Sequence, residues 1–454
     1  MVRLFGTDGV RGVANKDITA EMAVDLAVAA AHVLAERGDF SGHRPRAVLG
    51  RDTRISGQFL SSAVAAGLAS AGVDVLDAGV VPTPAVARLT AATEADLGVV
   101  ISASHNPMPD NGVKFFSKGG LKLPDAIEES IEEHMGQEWE RPTGSAVGAI
   151  IPSPELAEIY VEHLVDALSD FAQRELPLSG LRIVVDAAHG AASTVGPRAL
   201  EAAGATVVAL HCEPDGTNIN DGVGSTHVES LADIVTDHGA DMGVAFDGDA
   251  DRCLAVDGTG AVIDGDKILG LLAMDMKASG TLYRDTLVAT VMSNIGLHRA
   301  MRAAGIDIIE TAVGDRYVLE AMREGGYTLG GEQSGHIIAS RYASTGDGVL
   351  TAMLLGSLVA KQGPLHDLAS QIVTFPQVLI NVRNTDRARV HTDGPLQEAV
   401  DAVRAELGDG GRVLLRASGT EPLVRVMVEA PTQELADGHA RSLADVVAAR
   451  LGMA

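Results

Sequence analysis

The chain has 454 residues, of which 46% are hydrophobic, 51 are glycine and two are cysteine. It is too long for one core, so two to four domains are expected, and its composition fits neither disorder nor a disulfide framework. A formal net charge of −26 leaves few residues for a basic stripe and excludes nucleic acid as the expected partner; an anionic ligand would need cations gathered locally.

Met1-Val2-Arg3-Leu4-Phe5-Gly6 has no apolar signal core, and the most apolar predicted helix, Met22 to Leu34, carries Asp25 and His32. A cytoplasmic chain with no membrane partner is expected. Gly6-Thr7-Asp8-Gly9-Val10-Arg11-Gly12 reads as a close-packed loop, with Thr7 and Arg11 as natural phosphate contacts. Thr19 to Leu34 predicts an amphipathic helix capped by Thr19.

A pattern then repeats. Ala47-Val48-Leu49-Gly50 runs into Arg51-Asp52-Thr53-Arg54, and Val73-Asp74-Val75-Leu76 leads to Gly79-Val80-Val81-Pro82-Thr83-Pro84. Leu97–Ile101 runs into Ser102-Ala103-Ser104-His105-Asn106-Pro107. Strand, helix, strand, helix, strand predicts an α/β unit whose site lies at the carboxyl ends of its strands. Downstream, strands at Leu181–Val185, Thr206–Leu210 and Met242–Phe246 repeat it, the last running into Asp247-Gly248-Asp249-Ala250-Asp251-Arg252. Strands at Thr286–Val291, Ile306–Ile309 and Tyr327–Leu329 repeat it again, the last running into Gly330-Gly331-Glu332-Gln333-Ser334-Gly335-His336. If the repeat is real, these three loops are equivalent and face one cleft.

Residues 141–154 read as a linker, and Asp257-Gly258-Thr259-Gly260 as a hairpin-like turn early in the third unit. After Pro376 alternating strands, a helix from Leu396 to Leu407 and a closing helix from Thr432 to Ala448 predict a smaller antiparallel α+β domain. The expected domains are 1–145, 155–254, 255–368 and 374–454. The fold class is three similar α/β domains with mixed, largely parallel sheets around a central cleft, plus this C-terminal α+β domain.

Four constellations could carry chemistry. Ser104 ends a strand beside imidazole and amide groups, and alone reads equally as a nucleophile or as part of a serine-rich turn. Asp247, Asp249 and Asp251 alternate over five residues and would repel one another without a hard cation such as Mg²⁺; a solvated acidic turn is the plain alternative. Arg252 follows at once and could meet a phosphate. Glu332 and Ser334 could grip paired sugar hydroxyls, with His336 as a titratable neighbour, or the run is a structural loop. Arg416-Ala417-Ser418-Gly419-Thr420-Glu421, with Arg425, makes a phosphate cradle or a surface turn. Lys114 gains interest only from the neighbouring serine loop.

Together these runs resemble the α-D-phosphohexomutase family across nearly the whole chain. The resemblance implies that Ser104 carries a phosphoryl group and that it completes the Mg²⁺ shell of Asp247, Asp249 and Asp251. It implies Lys114 and His336 as acid/base candidates, with Arg11 and Arg252 supporting the reacting phosphoryl group. Glu332 and Ser334 would bind the sugar. Arg416, Ser418, Gly419, Thr420 and Arg425 would hold the other phosphate. Gln333 and Gly419 point to the branch interconverting glucosamine 6-phosphate and glucosamine 1-phosphate for UDP-N-acetylglucosamine, through a glucosamine or glucose 1,6-bisphosphate that also serves as activator. A glucose or mannose mutase is the alternative. The family further suggests a homodimer acting on a hexosamine phosphate. Ala417 departs from the proline usual there, which implies a freer loop. A hydrolase using Ser104 is disfavoured because there is no G-x-S-x-G elbow and because His105, adjacent in sequence, should not face Ser104 from a strand. A non-catalytic sugar-phosphate sensor would not need all three aspartates.

Overall fold

The computed structural model describes residues 4–6, 8–417 and 423–453. The chain forms two compact units, one of residues 1–291 and 306–370, the other of residues 292–305 and 371–454.

The first unit holds three mixed sheets. In the first, the strand order is Val10–Val13, Asp110–Ser117, Leu97–Ile101, Arg46–Arg51, Asp74–Val80, Ile150–Pro152, with Leu121–Lys122 paired to Asp110–Ser117. Leu97–Ile101 lies at its centre because all five residues are buried, with helices filling the faces of the sheet. It runs parallel to Arg46–Arg51 and antiparallel to Asp110–Ser117. The expected linker is not all linker: Ile150–Pro152 is an edge strand parallel to Asp74–Val80. Gly and Pro marked the turns around it, and three residues are too few to show a period.

The second sheet has the order Val262–Ile263, Cys253–Asp257, Met242–Phe246, Arg182–Asp186, Thr206–Leu210. The turn at Asp257–Gly260 closes a hairpin of this sheet, since Cys253–Asp257 pairs with both Met242–Phe246 and Val262–Ile263. It therefore does not lie early in the third unit, as the sequence suggested. The third sheet runs Asp307–Thr311, Thr286–Thr290, Leu329–Gly331, Ile337–Ala339.

The three site loops are now topologically alike. Each links a strand to an antiparallel partner: Leu97–Ile101 to Asp110–Ser117, Met242–Phe246 to Cys253–Asp257, and Leu329–Gly331 to Ile337–Ala339. The returning strands were not visible in the sequence, which displayed only the first member of each pair.

Capping was legible. Thr19 accepts from Met22 N–H at 3.3 Å and opens the helix Ala20–Glu36. Asp347 caps Gly348–Gln362, accepting from Leu350 N–H at 2.9 Å and from Tyr160 Oη at 3.0 Å. Burial pushes the Asp347 carboxyl up to about 6, against the pull of these donors. An acid whose pKa rises on folding stabilises the fold below its unfolded value and loses that contribution as pH climbs through the folded one. Asp347→Asn keeps an acceptor and cannot ionise. Its stability relative to wild type is expected to rise between about pH 4 and pH 7, by up to ~3 kcal/mol. Paired melting curves across that range check this; a difference independent of pH would refute it.

The second unit holds an antiparallel sheet in the order Gln377–Arg383, Leu423–Glu429, Arg412–Ala417, packed by the helices Gly394–Leu407 and Gln433–Leu451. The helix Ile295–Ala303 joins this unit: Ile295 N–H donates to buried Glu429 at 3.0 Å, and Arg412 bridges Glu429 to the Ser293 carbonyl. Among the described residues no helix is long and apolar enough to cross a membrane.

Candidate active site

Ser104 lies just past its strand, with φ of 53°, so strand alternation no longer sets where its neighbours point. Its Oγ donates to Asp247 Oδ2 at 2.5 Å and stands 3.3 Å from His105 Nδ1. The expectation that His105 could not face Ser104 is therefore wrong, because it assumed an extended backbone. What limits His105 is basicity. Burial, then the cations Arg252 and Arg11, drive its imidazole down to about 4, too weak a base for hydrolytic activation of a serine near neutral pH.

The serine loop is clamped by a residue to which the sequence assigned no role. Arg54 is buried, pairs with Asp52 at 2.9 Å, and donates to the carbonyls of Pro107, Ser104 and Asn106. Asp52 in turn accepts from Ser102 Oγ at 2.6 Å, and Ser102 Oγ accepts from Ser104 N–H. The signal was the Arg-Asp-Thr-Arg run at the end of the neighbouring parallel strand. Arg54→Met would leave the buried Asp52 without its counter-ion and the Pro107 carbonyl without its donor, with Asn220 alone left to hold the carbonyls of Ser104 and Asn106. We expect a loss of about 3–5 kcal/mol in a urea titration. A shift within about 1 kcal/mol, the range of an ordinary surface change, would contradict it.

The acidic run lies in the bend between Met242–Phe246 and Cys253–Asp257. Asp247, Asp249 and Asp251 are all buried, and one carboxylate oxygen of each lies within 4.8 Å of the others. Burial, then Asp251 and Asp249, hold the Asp247 carboxyl well above its usual range. Asp249 Oδ1 and Asp251 Oδ1 are buried with no hydrogen-bond partner among the described residues. Orphaned, crowded carboxylates with no nitrogen or sulfur donor suit a hard divalent cation, so the cluster could hold a metal. Gly248 lets the two loops meet. A Cβ there would stand 2.7 Å from the Ser104 carbonyl oxygen and 2.7 Å from Ile219 Cδ1.

Cations surround this pair of loops. Lys114 is brought alongside by the register of Val100 with Lys114. It is buried and pairs with Asp8 at 2.9 Å and Asp249 at 3.0 Å. Burial alone would depress its ammonium, but Asp249 and Asp8 outweigh burial and raise it. Lys114 is thus held charged: it can donate hydrogen bonds but gives up its proton reluctantly. Asp8 was also missed by the sequence reading; it ties Lys114 to Arg11, and lies 3.7 Å from Lys122. Arg252 is three-quarters buried; its Nε stands 3.9 Å from Asp251 Oδ1 and has no hydrogen-bond partner among the described residues.

His336 Nδ1 lies 3.6 Å from Asp251. Burial depresses its imidazole, and Asp251 more than offsets this, lifting it to about 9. Gly346 N–H donates to Nε2 at 3.1 Å, which opposes that charge, since an imidazolium has no lone pair to accept it. The hydrogen bond decides the tautomer: the proton sits on Nδ1, towards Asp251. Position 346 must be glycine, because a Cβ would stand 2.5 Å from the ring. Glu332 Oε1 accepts from Gly314 N–H at 3.0 Å, and Ser334 Oγ is buried without a partner among the described residues. Glu332 acts electrostatically on both Arg252 and His336.

The first unit thus gathers Ser104, Lys114, Arg252, the three aspartates and His336, with Arg11 joined through Asp8. In the second unit Arg416 and Arg425 face each other directly across two antiparallel strands. Burial and Arg425 depress the Arg416 guanidinium, and like charges so placed repel unless an anion lies between them. Thr7, Ser418, Gly419 and Thr420 lie outside the described residues.

Models of the phosphoglucomutase/phosphomannomutase α/β/α domains I, II and III match residues 2–141, 158–260 and 264–375, and that of the C-terminal domain matches residues 379–446. The chain belongs to the phosphoglucomutase/phosphomannomutase family. Within it, a protein of Acidothermus cellulolyticus named phosphoglucosamine mutase is 63% identical over 99% of this chain and 96% of its own length. A Nocardioides protein of the same name is 60% identical over the whole of both chains. A family crystal structure from Burkholderia thailandensis superposes with a TM-score of 0.79 at 25% identity, covering 99% of each chain.

Proposed function

We propose that this chain interconverts glucosamine 6-phosphate and α-D-glucosamine 1-phosphate through a phosphorylated Ser104 and a 1,6-bisphosphate. The observation that carries the reading is the 2.5 Å contact between Ser104 Oγ and one of three clustered, buried carboxylates. The name shared by its full-length relatives supports the amino sugar.

Phosphoryl transfer asks mainly for positioning and charge stabilisation. Arg54 and Asn220 hold the Ser104 carbonyl, at 3.0 and 2.9 Å, and so fix the loop that carries the nucleophile. Asp247, Asp249 and Asp251 would hold Mg²⁺, which when bound would neutralise charge on the transferring group. Lys114, kept protonated by Asp8 and Asp249, offers a charged hydrogen bond to a phosphoryl or leaving oxygen. Arg11 and Arg252 add positive charge beside it. His336 holds its proton on Nδ1, and the Gly346 hydrogen bond keeps that tautomer. Glu332 and Ser334 take sugar hydroxyls, Ser334 with an Oγ not already committed.

Arg416 and Arg425, with the loop 418–420, take the phosphate that is not being transferred. The bisphosphate formed after the first transfer must reverse its ends, so that the other phosphate returns to Ser104. Glucosamine or glucose 1,6-bisphosphate would also charge an unphosphorylated enzyme. A low-basicity His105 at Ser104 favours this carrier role over hydrolysis, because it activates water or hydroxyl poorly.

Initial rates on glucosamine, glucose and mannose 6-phosphates test the substrate assignment. The expected result is a clear preference for glucosamine 6-phosphate. Preference for glucose or mannose would overturn the amino-sugar reading and leave the phosphoserine chemistry standing.

A further inference from the structure

A second cluster of ligating side chains lies in the first unit, with members on two helices. His32 and Glu36 are one turn apart on Ala20–Glu36, and His134 ends the helix Asp125–His134. His32 Nε2 is 3.2 Å from Glu36 Oε1, and His134 Nε2 is 3.4 Å from Glu36 Oε2. One ligand atom of each lies within 4.8 Å of the others. The two imidazole nitrogens meet the two oxygens of the one Glu36 carboxylate, close enough for a single ion to reach all three side chains.

The tautomer of His134 adds an independent observation. His134 Nδ1 lies 2.7 Å from the Ser130 carbonyl oxygen, which can only accept, so Nδ1 bears the proton. A neutral His134 then aims the bare lone pair of Nε2 at the Glu36 carboxylate. Two acceptors face each other there, and the arrangement requires either a second proton or a cation between them. The Nδ1 contact is also the outer hydrogen bond that orients a metal-binding histidine.

The rings are braced. His32 stacks on Trp139, with centroids 4.6 Å apart and planes 15° apart, and meets His134 edge-on. A cavity of about 410 Å³, lined by Asp25, His32, His134, Trp139 and Arg141 among others, opens beside the cluster and leaves room for a water as a fourth ligand. Two imidazole nitrogens and one carboxylate favour a borderline transition ion over Mg²⁺ or Ca²⁺.

We propose that His32, Glu36 and His134 form a Zn²⁺ site, separate from the aspartate cluster, that pins the helix Asp125–His134 to the helix Ala20–Glu36. The site stands on its own geometry and does not depend on the proposed mutase reaction.

The test counts zinc bound per chain by elemental mass spectrometry after dialysis against Zn²⁺ with Mg²⁺ in large excess. Wild type is compared with His134→Gln and Glu36→Gln. The aspartate cluster is intact in all three, so whatever zinc it retains cancels. Each variant is expected to bind one zinc fewer per chain and to lose the rise in melting temperature that zinc gives wild type. Glu36 is 56% exposed, so Glu36→Gln keeps the fold, which melting in chelator verifies, and it decides the matter if His134→Gln does not fold. Equal zinc in wild type and Glu36→Gln, or no zinc in wild type, would overturn the site and leave two histidine–glutamate ion pairs.

Discussion

Ser104→Ala is expected to lower turnover on glucosamine 6-phosphate by roughly 10⁴-fold or more, the scale seen when a covalent nucleophile is removed. The fold should survive. Among the described residues, Ser104 Oγ has two side-chain hydrogen-bonding partners, Asp247 and His105. The loop is held instead through the Ser104 backbone, whose N–H donates to Ser102 and whose carbonyl accepts from Arg54 and Asn220. Alanine keeps every one of those bonds. The loss should therefore fall on kcat, with an unchanged melting profile. Steady-state rates at saturating substrate, beside a thermal melt, separate the two. Turnover within tenfold of wild type would mean that the phosphoryl group never rests on this residue.

Asp249→Asn should cost about 10³-fold, the several kcal/mol that charge stabilisation by a bound metal supplies. The substitution removes one of three clustered carboxylates and with it part of the affinity for a divalent ion. It also strips Lys114 of one of its two close counter-ions, leaving Asp8. Thr83 Oγ1 donates to Asp249 Oδ2 at 2.7 Å, a bond that an amide oxygen can still accept. Excess Mg²⁺ should restore part of the lost rate in the variant, and chelation should abolish the wild-type rate. A chelated wild-type enzyme that still turns over would remove the metal from the account.

Much of the site was legible because strands that end in chemistry leave a sharp mark. Leu97–Ile101 and Met242–Phe246 are wholly buried runs that end in polar clusters, whereas the third strand, read as Tyr327–Leu329, lies at Leu329–Gly331 because its two glycines look like a turn. The returning antiparallel strands were hidden. Ile337–Ala339 is only three residues long, and Asp110–Ser117 is buried on both faces from Asn111 to Phe116, so it shows no alternation. The side chains that organise the site were hidden for a different reason. Arg54, Asp52 and Asp8 take their meaning from partners up to about a hundred residues away, and an arginine followed by loop residues looks like any exposed charge until its burial is known. His105 failed as a prediction because one left-handed residue undoes the strand rule. The His32, Glu36 and His134 cluster could not be read at all. Two of its members are spaced for one helix face, but the third comes from a helix about a hundred positions on.

Cations are gathered locally in a strongly acidic chain. Its overall charge is −26, yet Arg11, Lys114 and Arg252 converge around Ser104, and Arg416 opposes Arg425 across a strand pair. The cost of holding Lys114 buried is offset by Asp8 and Asp249. These carboxylates also keep it protonated.

Whether Ser104 carries the phosphoryl group is decided by intact-mass spectrometry with peptide mapping. Wild-type protein, as purified or after incubation with glucose 1,6-bisphosphate and Mg²⁺, should carry one phosphoryl group, mapped to Ser104 and absent from Ser104→Ala. Wild-type protein that carries none after that incubation, or carries it on another residue, would rule out Ser104 as the phosphoryl carrier.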